Sequence, residues 1–320
     1  MPVVDKPLRE LVNYTTSNPR PADFDAFWAK GLAEMDALDP QVTFKDVDFP
    51  VSYANCQSMH FTGTGGSRVH ARIVTPKALP KEPGPALLIF HGYSGSSPDW
   101  VSMLPFVAAG YTVAALDCRG QGGLSEDTVA TRGNTLHGHI IKGLDDEPEK
   151  MYYRNVFLDT ALLAKIVMGF EWVDETRVGS NGGSQGGALS LVCASLVPSL
   201  KRCWATFPFL CDYRRVWEMA LDQRAYSGLR DYFRRFDPCH EREQEIFEKL
   251  GYIDVTHLAP RIKAEVTMAI SQSDDVCPPS TQFAAYNAIT SDKSYVLYPD
   301  FGHENLPGAT EKAFQFLMGL

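Results

Sequence analysis

From Pro85 onward, short apolar runs alternate with segments of helical periodicity, and that rhythm restricts the chain to few architectures. The runs are ALLIFH (86–91), TVAALD (112–117), RVGSN (177–181), RCWATF (202–207), VTMAIS (266–271) and SYVLYP (294–299). Helical patterns fall at 99–109, 153–170, 184–197, 280–290 and 309–319. Strands that are apolar throughout must be covered on both faces. A helix after each strand does this and returns the chain for a parallel neighbour. The expected fold class is therefore α/β, with a mostly parallel central sheet flanked by helices.

The first 84 residues read differently, as an N-terminal cover of the same domain, so residues 1–320 are expected to form one unit. PADFDAFWAKGLAEMDAL (21–38) places Phe24, Trp28, Leu32 and Met35 at helical spacing, with Asp23 as N-cap. VTFKDVDF, CQSMHFTG and RVHARIVT follow as alternating segments, expected as an antiparallel meander. Two excursions interrupt the later rhythm: NTLHGHIIKGLDDEPEKMYY, and the aromatic, charged stretch from Phe209 to Tyr252, expected to be helical. Long insertions in α/β domains form lids, substrate pockets or subunit contacts.

GSNGGSQGGALS (179–190) is the most concentrated motif. It is not a phosphate cradle: no lysine occurs between Lys165 and Lys201, and no register of its glycines gives G-x-G-x-x-G. It does contain G-x-S-x-G, Gly182 to Gly186, between a strand and an apolar helix. A turn that tight tolerates only small flanking residues and projects the hydroxyl of Ser184 from the sheet. The following helix aims its N–H groups and positive dipole end at the same point.

A serine hydroxyl needs a base, and the base needs an acid to orient it. VTMAISQSDDVCPPS supplies Asp274 and Asp275 beyond a late strand, and Pro278 four residues after the first selects Asp274. SYVLYPDFGHEN supplies His303 after the last strand. An oxyanion formed at Ser184 would be met by the backbone N–H of Gln185 and by that of Tyr93 in the FHGYSG loop. His91 reads as a brace for that loop.

Several other functions are disfavoured. The net charge of −9 lacks the basic footprint of nucleic-acid binding. The longest apolar run, PALLIF, is strand-sized, so no membrane span is expected. No signal-like apolar segment follows the N-terminus, and the seven cysteines contain no CxxC pair, which together favour reduced thiols and a cytoplasmic location. His137 and His139 lack acidic or thiol ligands at matching spacing, so no metal is expected. Cys277 reads as a buried neutral thiol. Arg119 either binds a substrate carboxylate or, as favoured here, braces the loop beside the serine.

Taken together, these motifs resemble the acetyl xylan esterase and cephalosporin C deacetylase family of α/β-hydrolases, carbohydrate esterase family seven. The resemblance rests on RGQ (Arg119, Gly120, Gln121), GGSQGG (182–187) and HE (303–304), with FDAFW, HGYSG, GHIIKGLDD, YYRNVFLDT and PPSTQFAAYN in support. It implies Ser184, Asp274 and His303 as the triad and Tyr93 and Gln185 as oxyanion donors. It further implies deacetylation of xylo-oligosaccharides and cephalosporin C without a cofactor, and a homohexamer whose sites face an internal cavity. The stretch 209–252 matches the family least. A peptidase or lactone hydrolase on the same fold, and a non-catalytic binding protein, are the competing expectations.

Overall fold

The computed structural model describes residues 4–78, 82–132 and 138–320. Three strands, β1 (Thr43–Val47), β2 (Ala54–Thr62) and β3 (Arg68–Pro76), form the antiparallel meander. The remaining strands are β4 (Gly84–Phe90), β5 (Thr112–Leu116), β6 (Val173–Gly183), β7 (Arg202–Thr206), β8 (Glu265–Ser271) and β9 (Lys293–Tyr298). All nine strands of the described residues join one sheet in the order β1-β2-β3-β5-β4-β6-β7-β8-β9. β3 pairs antiparallel with β5, and every pairing from β5 to β9 is parallel. After β4 the chain places β5 on one side and β6 on the other. The crevice at such a reversal, beyond the carboxyl ends of the strands, is where open α/β sheets bind ligands.

In chain order the helices are α1 (Leu8–Leu11), α2 (Phe24–Asp36), α3 (Trp100–Ala108), α4 (Tyr152–Met168), α5 (Gln185–Leu196) and α6 (Tyr213–Glu218). They continue with α7 (Ser227–Phe236), α8 (Glu243–Leu250), α9 (Val255–Leu258), α10 (Pro279–Ala288) and α11 (Ala309–Leu317). Successive strand residues face opposite ways, so one apolar strand feeds two cores. Leu88 packs with Phe157, Leu189 and Val192 on the α4–α5 side, whereas Leu87 packs with Met103, Phe106 and Leu317 on the α3–α11 side. Every residue of α5 is buried, as expected of a helix apolar on all sides. No described helix is long and apolar enough to cross a membrane.

Some boundaries differ from the sequence reading. β6 begins at Val173 rather than Arg177, through a partly exposed segment that lacks a continuous apolar signal. Asp23 precedes α2 but does not cap it with its side chain, which accepts a hydrogen bond from the hydroxyl of Tyr252 instead. The stretch 209–252 is helical, as α6, α7 and α8. Most of its aromatic side chains are not displayed for a partner: Tyr213, Tyr226, Tyr232, Phe233 and Phe247 are buried within the chain's own core, while Phe236 is exposed. α7 is amphipathic, turning Tyr232 and Phe233 inward and Arg234 and Arg235 outward.

The N-terminal segment is strapped across later elements. Asp212, with a left-handed backbone, accepts from the Tyr14 hydroxyl (2.9 Å) and from the backbone N–H of Ser17 and Asn18 (3.1 Å each). Asp5 accepts from the N–H of Ser280 at the start of α10 (2.7 Å) and from Arg215 (2.6 Å).

Arg119, just past β5, forms a two-pronged ion pair with Asp159 of α4, Nε–Oδ2 2.7 Å and Nη2–Oδ1 2.6 Å. Its Nη1 donates to the carbonyl of Thr64 and to Ser67. With 0% of the side chain exposed, Arg119 is beyond reach of any substrate and acts as the brace. Removing one member of a buried pair leaves the other charge uncompensated, at about 3–5 kcal/mol. Arg119→Met should therefore lower the unfolding free energy by about that amount in equilibrium denaturation. A loss under about 1 kcal/mol would show that the pair is not the brace described.

Candidate active site

β6 ends at Gly183 and α5 begins at Gln185, leaving one residue to turn the chain. Ser184 makes that turn at φ 56° and ψ −119°, a strained conformation for a side chain of its type. The turn is locked from several directions. The Ser184 N–H donates to the carbonyl of Thr206 in β7 (2.9 Å), and its own carbonyl accepts from Ala188 (3.0 Å) and Phe209 (3.1 Å). A Cβ on Gly182 would stand 2.4 Å from the carbonyl of Gly186, and one on Gly186 would stand 2.0 Å from the carbonyl of Phe90. Both glycines of the motif are thus required by close backbone approach rather than by φ.

The loops after β8 and β9 bring the other two groups to the serine. Asp274 is 0% exposed. Its Oδ1 accepts from the N–H groups of Val276 and Cys277 (2.8 Å each), and its Oδ2 lies 2.8 Å from Nδ1 of His303. The carboxylate, acting as acceptor, places the ring proton on Nδ1. The lone pair of Nε2 then faces Oγ of Ser184 at 3.0 Å. The ring rests against Phe207, centroids 4.5 Å apart, and Glu304 accepts from the N–H of Gly302 to close the turn before it. Asp275 points away, exposed and paired with Arg224.

Among the described residues no acceptor meets the N–H of Gln185 or that of Tyr93, the two donors expected from sequence. A network not visible in the sequence fixes them relative to each other. The Gln121 side chain accepts from the N–H of Ser94 (2.8 Å) and donates to Tyr152 and to Gln185 (2.9 Å each). Gln185 also accepts from Tyr153 (2.8 Å). Gly120, at φ +64°, allows the bend that delivers Gln121. His91 braces its loop as expected, accepting from the N–H of Cys118, and burial lowers its pKa so that it stays neutral.

His139 and Phe209 pack against the Tyr93 side chain. The His139 N–H donates to the Tyr93 hydroxyl (3.0 Å), and the Phe209 ring meets Tyr93 edge-on at 5.6 Å. Burial first, then Lys142, depresses the pKa of His139 to about 4. The other member of the expected histidine pair, His137, lies outside the described residues. The two insertions clasp each other: Lys249 donates to the carbonyls of Leu144 and Asp146, and Tyr232 to Asp145.

Asp274, Cys277 and His303 bring donor atoms within 4.8 Å of one another. The carboxylate oxygens are engaged by two amides and the imidazole, and burial pushes the Cys277 thiol well up, so the thiol stays protonated beside them.

An aspartate–histidine–serine line at the end of β6, on a mostly parallel sheet flanked by helices, is the arrangement of an α/β-hydrolase. The chain belongs to the acetyl xylan esterase (AXE1) family, whose model matches residues 1–320. It is 28% identical over 296 residues to an acetyl esterase of Xylanibacter ruminicola, covering 91% of this chain and 64% of that longer protein. The structure of acetyl xylan esterase 1 from Thermoanaerobacterium sp. superposes with TM-score 0.97 at 52% identity, over 98% of this chain and 99% of that one. An acetyl xylan esterase from Paenibacillus sp. gives 0.93 at 36% identity, over 98% and 99%.

The turn makes a test of its own geometry. A Cβ on Gly183 would find its nearest neighbours at 3.8 Å, an ordinary contact. Gly183→Ala should fold with a melting temperature close to wild type, whereas Gly186→Ala should lose several degrees or fail to fold. Equal thermal stability of the two variants would overturn this account of the turn.

Proposed function

We propose that the protein is a serine esterase that removes acetyl groups from small acetylated carbohydrates. The observation that carries the proposal is the unbroken line from Asp274 through His303 to Ser184, 2.8 Å and then 3.0 Å. In the proposed reaction Ser184 attacks the acetyl carbonyl while Nε2 of His303 takes its proton. Asp274 holds the tautomer and stabilises the imidazolium without itself being protonated. The N–H groups of Tyr93 and Gln185 receive the oxyanion, and preorganised donors of this kind supply a large share of catalysis. The imidazolium then protonates the departing sugar alkoxide. Water repeats the sequence on the acyl-enzyme and releases acetate.

Family membership supports the acetyl specificity. Xylo-oligosaccharides and cephalosporin C are the substrates proposed, and a cytoplasmic homohexamer with inward-facing sites the assembly proposed. The substrates and the hexamer rest on the sequence resemblance, and the location also on the cysteine pattern.

Ser184→Ala should fold and lose at least ~10³-fold in turnover. Asp274→Asn should cost on the order of 10⁴ by favouring the wrong tautomer, and Asp275→Asn little, since its partner is the exposed Arg224. Reversal of the two aspartate effects would refute the assignment of the acid.

A substrate panel tests the specificity. Acetyl esters should be turned over at least ~100-fold faster than octanoyl esters. Acetylated xylobiose should be favoured over polymeric acetyl xylan, in a particle sedimenting near six chain masses. Equal rates on short and long acyl chains would reject the acetyl pocket, and preference for amino-acid anilides would favour a peptidase.

A further inference from the structure

A second serine, histidine and aspartate stand in line on the antiparallel side of the sheet. His70 of β3 places Nδ1 2.6 Å from Oδ2 of Asp117, just past β5, and Nε2 2.7 Å from Oγ of Ser58 on β2. His70 and Asp117 are each 2% exposed, while Ser58 is only partly buried. Burial alone would raise the pKa of Asp117. Hydrogen bonds from His70 and from the backbone N–H groups of Ser97 (2.6 Å) and Leu124 (2.9 Å) more than offset this and hold it well below the ordinary carboxylate value. An ionised Asp117 fixes the proton of His70 on Nδ1. Its Nε2 then has only a lone pair to offer, and the Ser58 hydroxyl must donate to it.

The surroundings add positive charge. In the register of the sheet Ser58 lies opposite Lys45 on β1 and Arg72 on β3, and directly paired residues share a face. The same face carries His60, its ring 4.9 Å from that of His70. Ser58 therefore has a hydrogen-bonded base beside it and Lys45 opposite it on β1, while the Arg72 guanidinium turns to the Pro98 carbonyl and the Trp100 ring. What it lacks is a helix N-terminus: it sits in mid-strand, with neighbours on both sides in the sheet.

We infer that Ser58 is a second activated hydroxyl, which accepts an acyl group from small activated esters such as aryl acetates and retains it. In the step, Oγ of Ser58 bonds to the acyl carbon and its proton passes to Nε2 of His70. The carbon–oxygen bond to the phenolate breaks, and the imidazolium returns its proton to solvent. Without preorganised donors for the second oxyanion, hydrolysis of the ester is slow, and the site is modified rather than turned over. The inference is independent of the role of Ser184.

The test uses the full chain carrying Ser184→Ala, treated with excess p-nitrophenyl acetate and mapped by peptide mass spectrometry. The expected result is one hydroxylamine-labile acetyl group per chain on Ser58. It should form on the order of 100-fold faster than at other serines and threonines, the scale of general-base assistance. Ser58→Ala in the same background should abolish it, and unfolding in urea should reduce Ser58 to the rate of the others. His70→Gln should slow acetylation by a similar factor in a chain whose circular dichroism is unchanged. Absence of acetyl on Ser58, or acetylation no faster than at other hydroxyls, would overturn the inference.

Discussion

The carbonyl of Phe90 occupies the space that a side chain on Gly186 would fill, and the site is built around that approach of two backbones. It sets the end of β4 against the first turn of α5, with Gly182 of β6 pressed between them. The tight turn at Ser184 is a consequence. A serine at positive φ costs on the order of 1–3 kcal/mol and persists only where its surroundings leave no alternative. Here Thr206, Ala188 and Phe209 each hold one of its backbone groups. The hydroxyl is fixed by neighbours on β4, β7 and α5 rather than by its own preferences.

Around this turn lies a polar layer that is almost entirely satisfied. Gln121 joins the Tyr93 loop to Gln185, so the two N–H groups proposed to receive the oxyanion cannot drift independently. One residue before Gly120, the Arg119–Asp159 pair ties the same loop to α4. Buried polar networks raise stability and specificity only when every member is paired, and here a single loop, residues 119–121, anchors both.

Much of this was legible in the sequence, for definable reasons. The parallel strands announce themselves as apolar runs, and the order serine, acid, histidine along the chain places Ser184, Asp274 and His303 at one edge of the sheet. Asp274 could be preferred to Asp275 from Pro278 alone, and the structure turns the first inward and the second to Arg224. What the sequence conceals is pairing across long separations. Asp23 has the local chemistry of an N-cap, but Tyr252, 229 residues away, takes its carboxylate. The rings between 209 and 252 look like a contact surface in sequence, but helical packing turns most of them inward. Ser58, His70 and Asp117 carry no motif because strands align residues by register, and register is not written in any short stretch.

The strap at the N-terminus has a consequence for how the molecule is made. Tyr14 waits for Asp212, 198 residues later, and Asp5 for Ser280, 275 residues later. On a ribosome this segment emerges well before either anchor exists, and the tie to Ser280 can form only after α10 has been made. Closing loops of that length carries an entropic cost before any contact offsets it. The strap is therefore fastened in two stages: Asp212 can take Tyr14 first, and Asp5 docks only once α10, and before it the loop bearing Asp274, has been assembled.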